Sequence, residues 1–121
     1  MTQICFTTIH VHDMEKALDF YVNKLGFEVQ KRDHYPHFVA LKHDLYPISL
    51  HQVEKAMTLD YPNQAQAVLG IGVENLQAKL DELRNQGVDL IHTTPQRFFA
   101  GYFAAVRDPS GNVHELIEFT N

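Results

Sequence analysis

The chain contains a single cysteine, Cys5, and no tryptophan among its 121 residues. One thiol cannot form an internal disulfide or a paired-cysteine redox or zinc motif, so a reducing, cytoplasmic setting is expected. Long apolar runs are also missing. The N-terminal MTQICFTTIHVHD has neither a basic segment nor an extended hydrophobic stretch, so neither signal peptide nor membrane span is expected. Positive charge is sparse: 10 Lys and Arg against 15 Asp and Glu give a net charge of −5. The positives are scattered, which argues against nucleic acid as a partner, since that needs a basic patch or stripe. Nucleophile-elbow, phosphate-loop and dinucleotide-binding glycine patterns are absent too. What remains is 45% apolar and 21% charged, the composition of one ordinary globular domain spanning 1–121. Its eight histidines stand out.

The chain is written twice. DMEKALDFYVNKLGF predicts a helix near 14–25, with Asp13 as N-cap, Gly26 as stop, and Met14, Ala17, Leu18, Tyr21 and Leu25 as its apolar stripe. NLQAKLDELRNQGV predicts a second near 76–86, capped by Asn75, stopped by Gly87, with Leu76, Leu80 and Leu83 on one face. An alternating strand precedes each helix, FTTIHVH in the first case and AVLGIGV in the second. About three β-rich stretches follow each: FEVQKR, HFVALKH and YPISLHQV, then VDLIHTT, FFAGYFAAVRD and NVHELIEF. This repeat predicts an α+β fold of two tandem βαβββ modules, about 1–53 and 66–121, with curved mixed sheets and outer helices. The polar segment EKAMTLDYPNQAQ reads as a short linker.

Strand parity sorts the side chains. Ile9, Val11, Leu69, Ile71 and Val73 should face the helices. Phe6, Thr8, His10, Val68, Gly70, Gly72 and Glu115 should share the other face, where the two glycines leave room.

The segment V-x-D-M-x-x-A-x-x-F-Y-x-x-x-L-G-F from Val11 to Phe27, the turn-strand DPSGNVHEL and the tandem plan resemble the vicinal oxygen chelate superfamily over essentially the whole chain. That group includes glyoxalase I, fosfomycin-modifying enzymes, extradiol dioxygenases, methylmalonyl-CoA epimerase and the bleomycin-resistance proteins. In its metal-dependent members, the resemblance implies ligand positions that fall here on Phe6, Ser49, Val68 and Glu115. Only Glu115 keeps a ligand. Zinc sites want about three protein ligands, and non-haem iron two His and one carboxylate, so the usual metal site is expected to be lost.

Two readings stay open. In the first, the protein is a metal-free binder of a small organic molecule, like the bleomycin-resistance branch. Its pocket would be lined by Phe6, Thr8, His10, Ser49, His51, Val68, Tyr102 and Glu115. In the second, it is a metal-dependent lyase, isomerase or dioxygenase, with Zn, Ni, Fe or Mn on a displaced set of His10, His51 and Glu115. His10 lies roughly 13 Å along the strand from Phe6, at about 3.3 Å per residue, which weighs against the displaced set. Glu115 itself would serve as a ligand-gripping anion or a catalytic base, or as the structural partner of Arg97 or Arg107. His12, His34, His37, His43 and His92 read as surface residues, and Cys5 as a small buried hydrophobe. A homodimer is expected, because the aromatic strands carry apolar area to hide.

Overall fold

The computed structural model describes residues 1–65 and 67–120. The chain divides into two compact units, Met1–Met57 and a second that begins at Thr58. The module start expected at 66 falls on Gln66, outside the described residues.

In the first unit β1 (Thr7–Val11) leads into α1 (Met14–Leu18), which runs on without a break into a π-helical segment, Asp19–Lys24. The strands β2 (Glu28–Lys31), β3 (Phe38–His43) and β4 (Tyr46–Gln52) follow as an antiparallel meander. The last of them returns parallel to β1, giving the order β1-β4-β3-β2. The second unit repeats the plan with β5 (Leu69–Gly72), α2 (Leu76–Asn85), β6 (Asp89–Leu90), β7 (Gln96–Phe98), β8 (Gly101–Arg107) and β9 (Val113–Phe119). Its order is β5-β9-β8-β6, with β7 paired to β8. The α+β architecture of two βαβββ modules is therefore the observed one. It carries one addition: FFAGYFAAVRD, read as a single strand, is a hairpin. The chain turns at Phe99 and Ala100 into Gly101, whose φ is +147° and where a Cβ would lie 2.2 Å from the Glu118 carbonyl oxygen. Only glycine fits that corner.

The helix signals work as their chemistry dictates. Asp13 and Asn75 accept backbone N–H groups from Lys16 and Ala78 at 3.1 and 3.0 Å. Gly26 and Gly87 terminate the helices at φ +82° and +80°. One helical residue differs from expectation: Leu18 is half-buried, while Phe20 and Tyr21 are both fully buried. The π-helical stretch explains this. Leu25 N–H bonds back five residues to Phe20 at 3.0 Å. A π turn winds more residues per turn, so consecutive side chains diverge less and both rings reach the core.

Each helix is also tied to the end of its sheet. The Met14 N–H donates to Gln52 Oε1 at 2.8 Å, and the Leu76 N–H to Glu118 Oε1 at 2.7 Å. These bonds satisfy helix N-terminal donors that would otherwise be orphaned, and Glu118 adds a negative charge where the helix dipole favours one. The same device thus recurs in both modules.

Parity is set by the helix-side core. Val113, His114 and Leu116 of β9 are buried, as are Leu76, Leu80 and Leu83 of α2 and Ile71 of β5. The His114 imidazole is held down to about 4 by burial, with the Asp108 charge opposing. An unfolded histidine titrates near 6.5, so the unfolded chain takes up the proton first. Stability from this group is complete above pH about 6.5 and is lost as pH falls through about 6.5 to 4. Urea unfolding across that window should show a fall on the order of a few kcal/mol, and His114→Leu should flatten that part of the curve. Parallel pH curves for the two proteins would contradict the burial of a neutral His114.

Candidate functional site

The geometry around Glu115 starts from strand register. On the open face of the second sheet, Gly70, Glu115 and Ala105 form one row, and Gly72, Ile117 and Phe103 form the next. The glycines make room: a Cβ at Gly72 would meet nothing within 4 Å, whereas one at Gly70 would press on Ile117 Cδ1 at 3.0 Å. Glu115 is half-buried there. Its Oε2 accepts a hydrogen bond from the Tyr61 hydroxyl. Partial burial, followed by the bond to Glu115 and its charge, pushes the Tyr61 phenol up to about 12. Tyr61 therefore remains a protonated donor near neutral pH.

A wall of rings continues from this pair. His92 Nδ1 accepts the Ala105 N–H at 3.0 Å, which places the ring hydrogen on Nε2. The His92 ring stands edge-on to Tyr61 at 6.0 Å and to Phe103 at 5.4 Å, and Phe98 meets Phe103 edge-on at 5.8 Å. Chemically, the site offers a carboxylate with one oxygen engaged by a neutral donor, beside an aromatic surface and a glycine-opened gap.

Several expectations change here. Neither Arg97 nor Arg107 pairs with Glu115. Arg97 donates to the Tyr102 hydroxyl at 3.1 Å, and Arg107 reaches the Leu59 carbonyl at 3.1 Å and Asp89 at 3.8 Å. Tyr102 does not share the Glu115 pocket. It pairs with Glu118 across the ladder, and alternation turns both to the opposite face. There Tyr102 lines a separate open cleft of about 310 Å³ with Glu74, Asn75, Gln77, Pro95 and Glu118. His92, expected at the surface, is half-buried because its ring nitrogen completes the hydrogen bonding of β8. His43, also expected there, is half-buried with its ring 4.7 Å from Phe27. Cys5 is exposed, since it precedes β1 and packs under nothing. Tyr61 escaped sequence reading because it lies in the polar DYPN stretch assigned to the linker, although a lone aromatic among polar residues was a signal.

In the first unit, Thr8, Ser49 and Ala40 form the row that corresponds by register to Gly70, Glu115 and Ala105. Ser49 thus holds, in its own module, the position that Glu115 holds in the second. The next row is His10, His51 and Phe38. The two imidazoles lie 5.2 Å apart, and His51 stacks on Phe38 at 4.4 Å and 12°. Phe6 precedes β1 and is 58% exposed, while Val68 precedes β5 and is half-buried. Among the described residues, no three His, Cys, Asp or Glu side chains group closely enough to hold a metal ion. Phe6, Ser49 and Val68 supply one hydroxyl between them, so the residues present do not fit a zinc or non-haem iron centre. Among those residues no helix is long and apolar enough to cross a membrane.

A family model described as the Glyoxalase/Bleomycin resistance protein/Dioxygenase superfamily matches residues 3–116. No curated protein matches the chain. Among solved structures, the hypothetical protein SA1046 from S. aureus is similar at 19% identity, with 98% of each chain covered and a TM-score of 0.74. The genomically encoded fosfomycin resistance protein FosX from Listeria monocytogenes is similar at 13% identity, covering 99% of this chain and 93% of its own, with a TM-score of 0.78. TnmS3, an antibiotic binding protein from a Streptomyces species, reaches 24% identity over 99% of both chains at a TM-score of 0.68. At these identities the likeness is one of fold.

The His92 contact makes a specific expectation. His92→Leu removes the acceptor for the Ala105 N–H and should cost about 1–3 kcal/mol in urea unfolding. His92→Asn, whose amide oxygen can occupy the Nδ1 position, should recover a good part of that loss. Equal effects from both substitutions would show that the bond contributes nothing.

Proposed function

The chain belongs to the Glyoxalase/Bleomycin resistance protein/Dioxygenase superfamily, and on that premise we propose that it binds a small organic molecule at Glu115 without a resident metal ion. The observation that carries this reading is the Glu115–Tyr61 pair on a glycine-opened face, continued by the rings of His92 and Phe103. Binding pockets for small molecules combine apolar and aromatic lining with a few oriented polar groups. Fold relatives that bind or resist antibiotics, TnmS3 and FosX by their descriptions, lend support at the level of architecture.

The metal-dependent alternative has one observation in its favour, the neighbouring imidazoles of His10 and His51. Against it stand the stacking of His51 on Phe38 and the phenol already on Glu115. A homodimer belongs to the same proposal. Leu45, Tyr46, Phe99 and Phe119 are exposed at 88%, 72%, 101% and 66%, which is apolar surface that a second copy would cover.

Native mass spectrometry of untagged protein tests the metal-free and dimer parts together and reports any co-purified ligand. The expected spectrum is a dimer without stoichiometric transition metal, either empty or carrying an organic adduct. One tightly held metal ion per chain would favour the alternative, and a monomer at micromolar concentration would remove the dimer.

A further inference from the structure

We infer that the Glu115 site selects an organic cation, a protonated amine carried on an apolar group, over neutral molecules of the same shape. This rests on the ligand-binding reading above and narrows it to a chemical class.

The inference starts from a charge without a counter-charge. Glu115 is half-buried, and its hydrogen-bond partner is a phenol, which is neutral. The ion pairs of the described residues engage Asp19, Asp33, Glu28, Glu82, Asp81 and Asp89; Glu115 is in none of them. Arg107, two residues from Ala105 on the same face of β8, reaches Asp89 and the Leu59 carbonyl, and Arg97 donates to the Tyr102 hydroxyl on the other face. The residues flanking Glu115 in the ladder, Gly70 and Ala105, bring no charge. Withdrawing a carboxylate from water with only a neutral donor is costly, and a matching cation offsets that cost.

Two further features say which cation. Beyond the Tyr61 hydroxyl and the His92 ring N–H the surroundings are aromatic: Tyr61 donates to the carboxylate, and His92 and Phe103 extend the surface edge to face. Aromatic faces attract an ammonium group placed over them and accommodate the carbon skeleton behind it. A divalent metal finds no three ligating side chains together among the described residues. The gap at Gly72, where a Cβ would meet nothing within 4 Å, leaves space beside the carboxylate row.

The test is an NMR-detected titration of the full chain at about 0.15 M salt, where diffuse attraction to the net negative protein is screened. The probes are benzylammonium, benzyl alcohol and Zn²⁺. Benzylammonium should bind about tenfold or more tightly than benzyl alcohol, and Glu115→Gln should abolish the preference. Tyr61→Phe frees a carboxylate oxygen from its internal donor and should tighten benzylammonium severalfold. This second variant keeps the test decisive if Glu115→Gln folds poorly. Equal affinity for the two organic probes overturns the inference, as does a preference that survives Glu115→Gln. So does Zn²⁺ that binds one per chain and excludes benzylammonium. Benzyl alcohol binding as well as benzylammonium, with both weakened by Phe103→Ala, would sink the cation class while leaving the ligand-binding reading standing. Silence from all three probes would overturn the inference and, where native mass spectra show no organic adduct, the ligand-binding reading with it.

Discussion

The parallel register of β5 on β9 is the constraint from which the candidate site follows. With Ile71 opposite Leu116, the side chains of His114 and Leu116 enter the helix-side core. Glu115 is then confined to the other face. A slip of one residue would exchange them, burying the carboxylate against α2 and exposing Leu116, at a cost of several kcal/mol. Glu118 reinforces the register from the end of the same strand, because its carboxylate receives the first N–H of α2. The site therefore needs no special local structure. It inherits its geometry from the core beneath it and from a helix tied to the strand that carries Glu115.

The two modules share this frame but decorate it differently. Where the second has Gly70 and Glu115, the first has Thr8 and Ser49, and where the second has Gly72 and Ile117, the first has His10 and His51. An aromatic residue survives at the third position of that second row in both, Phe38 and Phe103. The two modules thus share the strand-and-helix frame and one aromatic on the open face, and differ at the other open-face positions. One module carries a stacked imidazole pair, and the other an acid with a phenol on it. That division places the anionic chemistry in the second unit, while the first contributes aromatic surface in its own right.

Most of the architecture was legible in the sequence because its signals are local. Caps at Asp13 and Asn75, stops at Gly26 and Gly87, and the alternation in β1, β5 and β9 each depend on a few neighbouring residues. What escaped depends on partners distant in the chain. Gln52 and Glu118 look like ordinary surface residues until the helix N-termini they receive are placed beside them. Tyr61 lies 54 positions from Glu115, in a stretch whose composition suggests only a linker. Tyr102 is an expected pocket residue that stands outside the Glu115 face, because its register opposite Glu118 on β9 is a long-range pairing that the residues of β8 alone do not reveal. Leu18 is only half-buried and Phe20 joins Tyr21 in the core because a π turn departs from the 3.6-residue spacing that defines the predicted stripe.

The Tyr61–Glu115 pair joins these threads, since it ties the supposed linker to the sheet and gives the open face its polar anchor. Its most direct test is a double-mutant cycle with Tyr61→Phe and Glu115→Ala, read by urea unfolding near neutral pH. A formed bond between a phenol and a half-buried carboxylate predicts a coupling energy of about 1–2 kcal/mol. Single-mutant effects that add to within about 0.3–0.5 kcal/mol would mean that the two side chains do not interact, and would contradict the site as described.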